Sequence, residues 1–102
     1  GQMRRKAVDN LELERWRSMP ALVVLKALAD HIKQDPDFEP LSSRETTRWH
    51  VSIQGQDYEF LCTGAKFYDT RQQHGGGGAI DLVMHLYQLD FKRSVQRLRS
   101  VL

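Results

Sequence analysis

The residues of this chain that could do chemistry cluster around one glycine run. From Lys66 to His85 the sequence reads Lys-Phe-Tyr-Asp-Thr-Arg-Gln-Gln-His-Gly-Gly-Gly-Gly-Ala-Ile-Asp-Leu-Val-Met-His, which sets Asp69, His74, Asp81 and His85 around Gly75, Gly76, Gly77 and Gly78. Glycines ahead of a helix leave free backbone N–H groups at its positive dipole end, the chemistry of a phosphate seat. This run lacks the lysine and hydroxyl of a P-loop, and Asp81 in the first helical turn would compete with a phosphate. It therefore reads as a turn, or as backbone lying closely against another surface. Asp69 and Asp81 have the types of a paired-carboxylate cation site, but Asp81 stands where a capping or turn residue belongs. His74 reads as a turn residue and His85 as a helix histidine, and the sequence shows neither a catalytic partner. With no Ser-His-Asp set, no cluster of metal carboxylates and no intact nucleotide loop, no residue is assigned a catalytic role, and a free-standing enzyme is the weakest reading.

Composition narrows the classes further. A chain of 102 residues holds one core but no elaborate cleft beside it. A hydrophobic share of 40% with 27% charged residues is that of a soluble globular domain, and no apolar stretch reaches membrane-spanning length. Arg4, Arg5 and Lys6 lead into an acidic amphipathic segment rather than the apolar core of a signal peptide. Cys62 is the only cysteine, which excludes an internal disulfide and a sulfur-rich metal site and makes a reducing, cytoplasmic setting the expectation. The net charge of +2 permits a nucleic-acid partner. Basic residues gather late in the chain, at Arg71, Lys92, Arg93, Arg97 and Arg99, whereas Asp30, Asp35, Asp37 and Glu39 make its middle acidic, so one face is expected to be positive.

The elements that must position these residues follow from periodicity. Leu11, Leu13 and Trp16 predict a first helix stopped near Ser18 and Pro20. Leu22, Leu25, Leu28, Ala29 and Ile32 recur at helical steps and predict a second one, and Pro36 and Pro40 bracket the loop after it. From Arg48 the period becomes two. Trp49, Val51 and Ile53 alternate with Arg48, His50 and Ser52, Gln54-Gly55-Gln56-Asp57 offers a turn, Tyr58, Phe60 and Cys62 continue on a second strand, and Lys66–Thr70 supplies a third. Ile80, Val83, Met84 and Tyr87, widened by Leu82, Leu86 and Leu89, mark a mostly buried helix. Asp90 then caps a last helix with the apolar stripe Phe91, Val95 and Leu98 and a basic opposite face.

Taken together, the strands, Gly-Gly-x-Ala-Ile-x-x-Val-Met and Phe-x-x-Ser-Val-x-x-Leu resemble the zinc-ribbon domain that begins bacterial-type DNA primases. Gly76, Gly77, Ala79, Ile80, Val83, Met84, Phe91, Val95 and Leu98 fall on the matching positions, with Ser94 in place of alanine. The resemblance runs from Arg48 to Leu102. The family's zinc ligands are missing: there is no cysteine or histidine from Leu41 to Arg44 or from Phe67 to Gln73, and Cys62 with His74 supplies two ligands at most. No structural zinc and no other cofactor is expected. In this respect the sequence looks more like degenerate, zinc-free relatives in primase-like replication or mobilisation proteins of plasmids and integrative elements. A zinc site contributes on the order of 10 kcal/mol to folds that depend on it, and here Trp49, Tyr58, Phe60, Phe67 and Tyr68 are the expected substitutes.

The fold class implied is α+β: an antiparallel sheet of about three to five strands flanked by N-terminal helices and two C-terminal helices, zinc-ribbon-like without zinc. Residues 1–40 form an N-terminal helical segment and residues 41–102 the ribbon-like part, packed as one domain. The resemblance implies a bacterial DNA-binding module that contacts single-stranded template and feeds a catalytic centre lying elsewhere, so that the parent would be a primase. Arg48, His50, Lys66, Tyr68, Arg71, His74, Gly76, Gly77, Lys92 and Arg93 are the candidate DNA-binding residues. Aromatic faces stack unpaired bases and cations meet phosphates. The other class is a protein-interaction module that docks a toprim-type catalytic domain, a helicase or a relaxase without binding DNA. No membrane partner is expected.

Overall fold

Strict apolar–polar alternation turns the middle of the chain into a sheet with one face for the core. The computed structural model describes residues 7–41 and 43–102, so Arg4, Arg5 and Lys6 lie outside the described residues. The chain runs α1 (Asn10–Ser18), α2 (Ala21–Leu28), β1 (His31–Gln34), β2 (Thr47–Ile53), β3 (Gln56–Thr63), β4 (Lys66–Asp69), β5 (His74–Gly77), α3 (Ala79–Tyr87) and α4 (Phe91–Val101). The fold is α+β, a five-stranded antiparallel meander in the order β1-β2-β3-β4-β5 with helices on one face. No helix among the described residues is long and apolar enough to cross a membrane.

Side-chain parity decides which face is covered. Val51, Ile53, Tyr58, Phe60, Cys62 and Phe67 point inward and are buried with Trp16, Val24, Leu25, Leu82, Val83, Val95 and Leu98 from the helices. At about 25 cal/mol per Å² of apolar surface, each large side chain buried there contributes about 1.5–3 kcal/mol relative to exposure. Of the aromatic substitutes expected for a metal, Tyr58, Phe60 and Phe67 are in this core and make stacked and edge-on contacts. Trp49 is only half-buried, and Tyr68 lies on the opposite face. Parity separates Tyr68 from Phe67.

Two elements depart from the sequence reading. The second helix stops at Leu28, short of Ile32, and its buried face is Ala21, Val24 and Leu25. Ala29 still donates its N–H to Leu25 O but turns to extended backbone, after which Asp30 donates to Ser52 O and accepts the Gln54 N–H on its carboxylate. Those bonds capture residues 31–34 as an edge strand, with Ile32 opposite Val51. The glycine run likewise contains a strand, β5, because it pairs residue for residue with β4.

Caps and one ion pair lock the helices. Asp9 accepts the Glu12 N–H at the start of α1, and Asp90 accepts the Arg93 N–H at the start of α4. Arg99 grips Glu12 with two hydrogen bonds of 2.7 and 2.5 Å, tying α4 to α1. Ser94 is fully buried in this layer, and its hydroxyl has no hydrogen-bond partner among the described residues. Replacing Ser94 with alanine should raise stability by about 1 kcal/mol, since it removes the desolvation penalty without opening a cavity. Urea unfolding of wild type and Ser94→Ala checks this; a destabilised variant would show that the hydroxyl is satisfied in solution.

Candidate functional site

Asp69, the last residue of β4, shares the inward parity of Phe67 and is fully buried. A buried carboxylate must be paired, and this one is paired on both oxygens. His85 Nε2 donates to Oδ2 at 2.7 Å, while the backbone N–H groups of Arg71 and Gln72 each donate to Oδ1 at 3.0 Å. One side chain thus closes the β4–β5 loop and ties it to α3. The sequence assigned His85 no partner because the two residues are far apart in the chain. Parity carried the available signal: a carboxylate on the core face of a strand needs a donor from the element above it.

The His85 ring sits in an aromatic box. It stacks on His74 with centroids 4.4 Å apart and planes 7° from parallel, and meets Phe60 edge-on and Phe67 at a tilt. Imidazole lone pairs lie in the ring plane, so parallel stacked rings do not aim two nitrogens at one cation. Among the described residues, no three His, Cys, Asp or Glu side chains are grouped to hold a metal ion. The Cys62 thiol is no nucleophile either, because burial pushes its pKa up to about 12.

The glycines serve the same joint. Gly76 faces α3, where a Cβ would collide with the Asp81 carboxylate and come within 2.8 Å of Phe67 Cζ. Asp81 reaches back from the first turn of α3 to accept the Gly77 N–H at 3.1 Å. Its carboxylate thus occupies the place a phosphate would take, which is the turn role expected from sequence. Gly78 begins α3 at φ +90°, with Arg17 Cα 3.2 Å from where a Cβ would stand. Only glycine satisfies both demands.

The strands place the side chains of four candidate DNA-binding residues on the outer face of the sheet. Arg48 on β2 lies opposite Leu61 on β3, which lies opposite Tyr68 on β4, itself opposite Gly75; Lys66 lies opposite Gly77, and His50 opposite Glu59. Tyr68 is 40% exposed. Its ring leans over Gly75, where a Cβ would sit 3.1 Å from Cδ1. Lys66 is exposed and forms no ion pair among the described residues. Arg48 and His50 are engaged: Arg48 Nη2 is 2.6 Å from Asp35 and its guanidinium faces the Phe38 ring, while His50 Nε2 is 3.5 Å from Asp35. Glu59 flanks both at 3.8 and 3.9 Å. The Asp37 N–H, then the Arg48 guanidinium and the His50 ring, hold the Asp35 carboxyl below its ordinary pKa.

The other candidates are placed otherwise. Arg71 is in the β4–β5 loop at the end of the sheet, and His74 and Gly76 face α3. Gly77 is outward, with its N–H taken by Asp81. Lys92 and Arg93 are exposed on α4, in the helical layer.

Removing the Asp69 side chain leaves two loop N–H groups and a buried histidine unpaired, so Asp69→Ala should cost about 3–5 kcal/mol, the scale of a broken buried pair. Gly76→Ala should cost about 1–3 kcal/mol through overpacking against Phe67 and Asp81. Urea unfolding measures both; a loss below about 1 kcal/mol for Asp69→Ala would show that the joint carries little of the fold's stability. No family model, no curated protein and no solved structure matches this chain.

Proposed function

We propose that this chain is the single-stranded DNA-binding module of a primase-like replication protein of a mobile genetic element, contacting template on the open face of its sheet. The observation that carries the reading is Tyr68. Its exposed ring leans over a glycine, with Leu61 beside it and the unpaired cation Lys66 next along the strand, on a sheet face whose outward residues are exposed or half-buried. Aromatic rings presented on a sheet stack unpaired bases, and neighbouring cations meet their phosphates. Duplex DNA hides its base faces and gives Tyr68 nothing to stack on.

Arg48 and His50 take a secondary part. Their carboxylate neighbours Asp35 and Glu59 must be displaced before either meets a phosphate, so Lys66 and Tyr68 make the first contacts. Asp69, His85 and the inner aromatics tie strands to helix through side-chain contacts.

A second reading rests on the helical layer. Leu13, Ile80, Met84 and Phe91 line a groove of about 240 Å³ with Arg17 and Asp81 at its rim, and Phe91 is half exposed. Such a groove favours a docked protein, such as a toprim-type catalytic domain, a helicase or a relaxase.

Titration of labelled single-stranded and duplex DNA at low and moderate salt separates the readings. Preferential single-strand binding is expected, with Tyr68→Ala weakening it by about 1–3 kcal/mol and Lys66→Ala lowering the log–log salt slope by about 0.7. No binding even at low salt would overturn the DNA reading and leave the apolar groove as the working surface.

A further inference from the structure

The open face has a second cationic corner, diagonally across from Tyr68. His31 and Lys33 on β1 lie opposite Ser52 and His50 on β2, so all four side chains share the outer face. Together with Asp57 and Arg71 they line a groove of about 350 Å³. The charges around it do not balance. Its single carboxylate, Asp57, accepts the Ser52 hydroxyl at 2.6 Å. Arg71 reaches only the Asp57 backbone oxygen, at 3.4 Å. Neither Lys33 nor Arg71 forms an ion pair among the described residues, and of the basic side chains in the groove only His50 has carboxylates within 4 Å. An ammonium, a guanidinium and two imidazoles thus surround a concavity whose own acid is already hydrogen-bonded.

We infer that this groove seats a phosphate group of the nucleic acid whose base rests on Tyr68. The inference rests on the single-strand reading of the same face and gives the strand its path. A phosphate offers acceptor oxygens on several sides, which suits donors converging from β1, β2 and the β4–β5 loop. From β4 to β1 is three strand spacings and from the Arg48 row to the His50 row two residues, so Lys33 at the far side of the groove lies roughly 16 Å from Tyr68. A strand crossing that diagonal passes over Leu61 and the Arg48–Asp35–His50 cluster. There its phosphates replace the carboxylates of Asp35 and Glu59. The edge strand β1 thereby becomes part of the binding surface.

The test pairs Lys33→Ala/Arg71→Ala with wild type, both shown to melt alike, in two titrations. The first follows labelled oligothymidylate across a salt series. The second follows the His31 and His50 ring protons by NMR as inorganic pyrophosphate is added. Each lost phosphate contact should weaken oligonucleotide binding about fivefold at about 0.1 M salt and reduce the slope by about 0.7, and pyrophosphate should shift both rings in wild type only. Wild-type DNA binding that the double variant leaves unchanged in affinity and slope overturns the groove while the single-strand reading stands. Pyrophosphate shifts without any DNA binding keep the groove as a phosphate site and reject the single-strand reading. Silence in both titrations rejects both.

Discussion

The bond between Asp69 and His85 is the constraint around which the rest of the site is arranged. A carboxylate with no solvent exposure is tolerable only when fully paired, and Asp69 reaches that state by drawing donors from the loop after β4 and from α3. The requirement fixes the distance between helix and sheet at that edge. It leaves so little room that β5 must be glycine at Gly76, and it brings Asp81 into reach of the Gly77 N–H. The glycine run, which reads in sequence as a turn or a close backbone approach, is thus a packing joint in three dimensions.

That joint has consequences on the other side of the sheet. Because α3 holds β5 close, β5 remains paired with β4 although its glycines bring no side chains to pack. The paired glycines leave the space that the Tyr68 ring leans into. Inner and outer faces of β4 therefore do different work in alternation: Phe67 and Asp69 anchor the strand, while Lys66 and Tyr68 present it. Charge is divided in a similar way. At the centre of the open face Asp35 and Glu59 stand against Arg48 and His50, whereas among the described residues Lys66 at one corner and Lys33 with Arg71 at the other form no ion pair. On the proposed reading, a flexible polyanion would meet the corners first and compete with side-chain carboxylates between them.

Much of this frame was legible in the sequence, and the gaps have physical causes. Strands β2, β3 and β4 follow from period-two alternation, and α3 and α4 from their apolar faces and the Asp90 cap, because local pattern and tertiary role agree there. Strand β1 was hidden because Ile32 continues a helical stripe as well as it begins a strand; the bonds of Asp30 to β2 decide between them. Strand β5 carries no alternation at all, since its strand character comes entirely from its partner. The outward grouping of Lys66 and Tyr68 was readable from parity, as was the outward placement of Arg48 and His50. Their engagement by Asp35 was not, because it depends on where the loop after β1 folds. The Asp69–His85 pair joins a strand to a helix across an intervening hairpin edge, so spacing alone could not reveal it.

The central claim is that the open sheet face, rather than the helical layer, meets single-stranded DNA. Amide and side-chain NMR shifts of the wild-type protein on addition of oligothymidylate test it most directly. Perturbations are expected at Leu61, Lys66, Tyr68 and Gly75, extending to Lys33 and His50, with Lys92, Arg93 and Phe91 unmoved. Shifts concentrated on those α4 residues, or none anywhere, would contradict it.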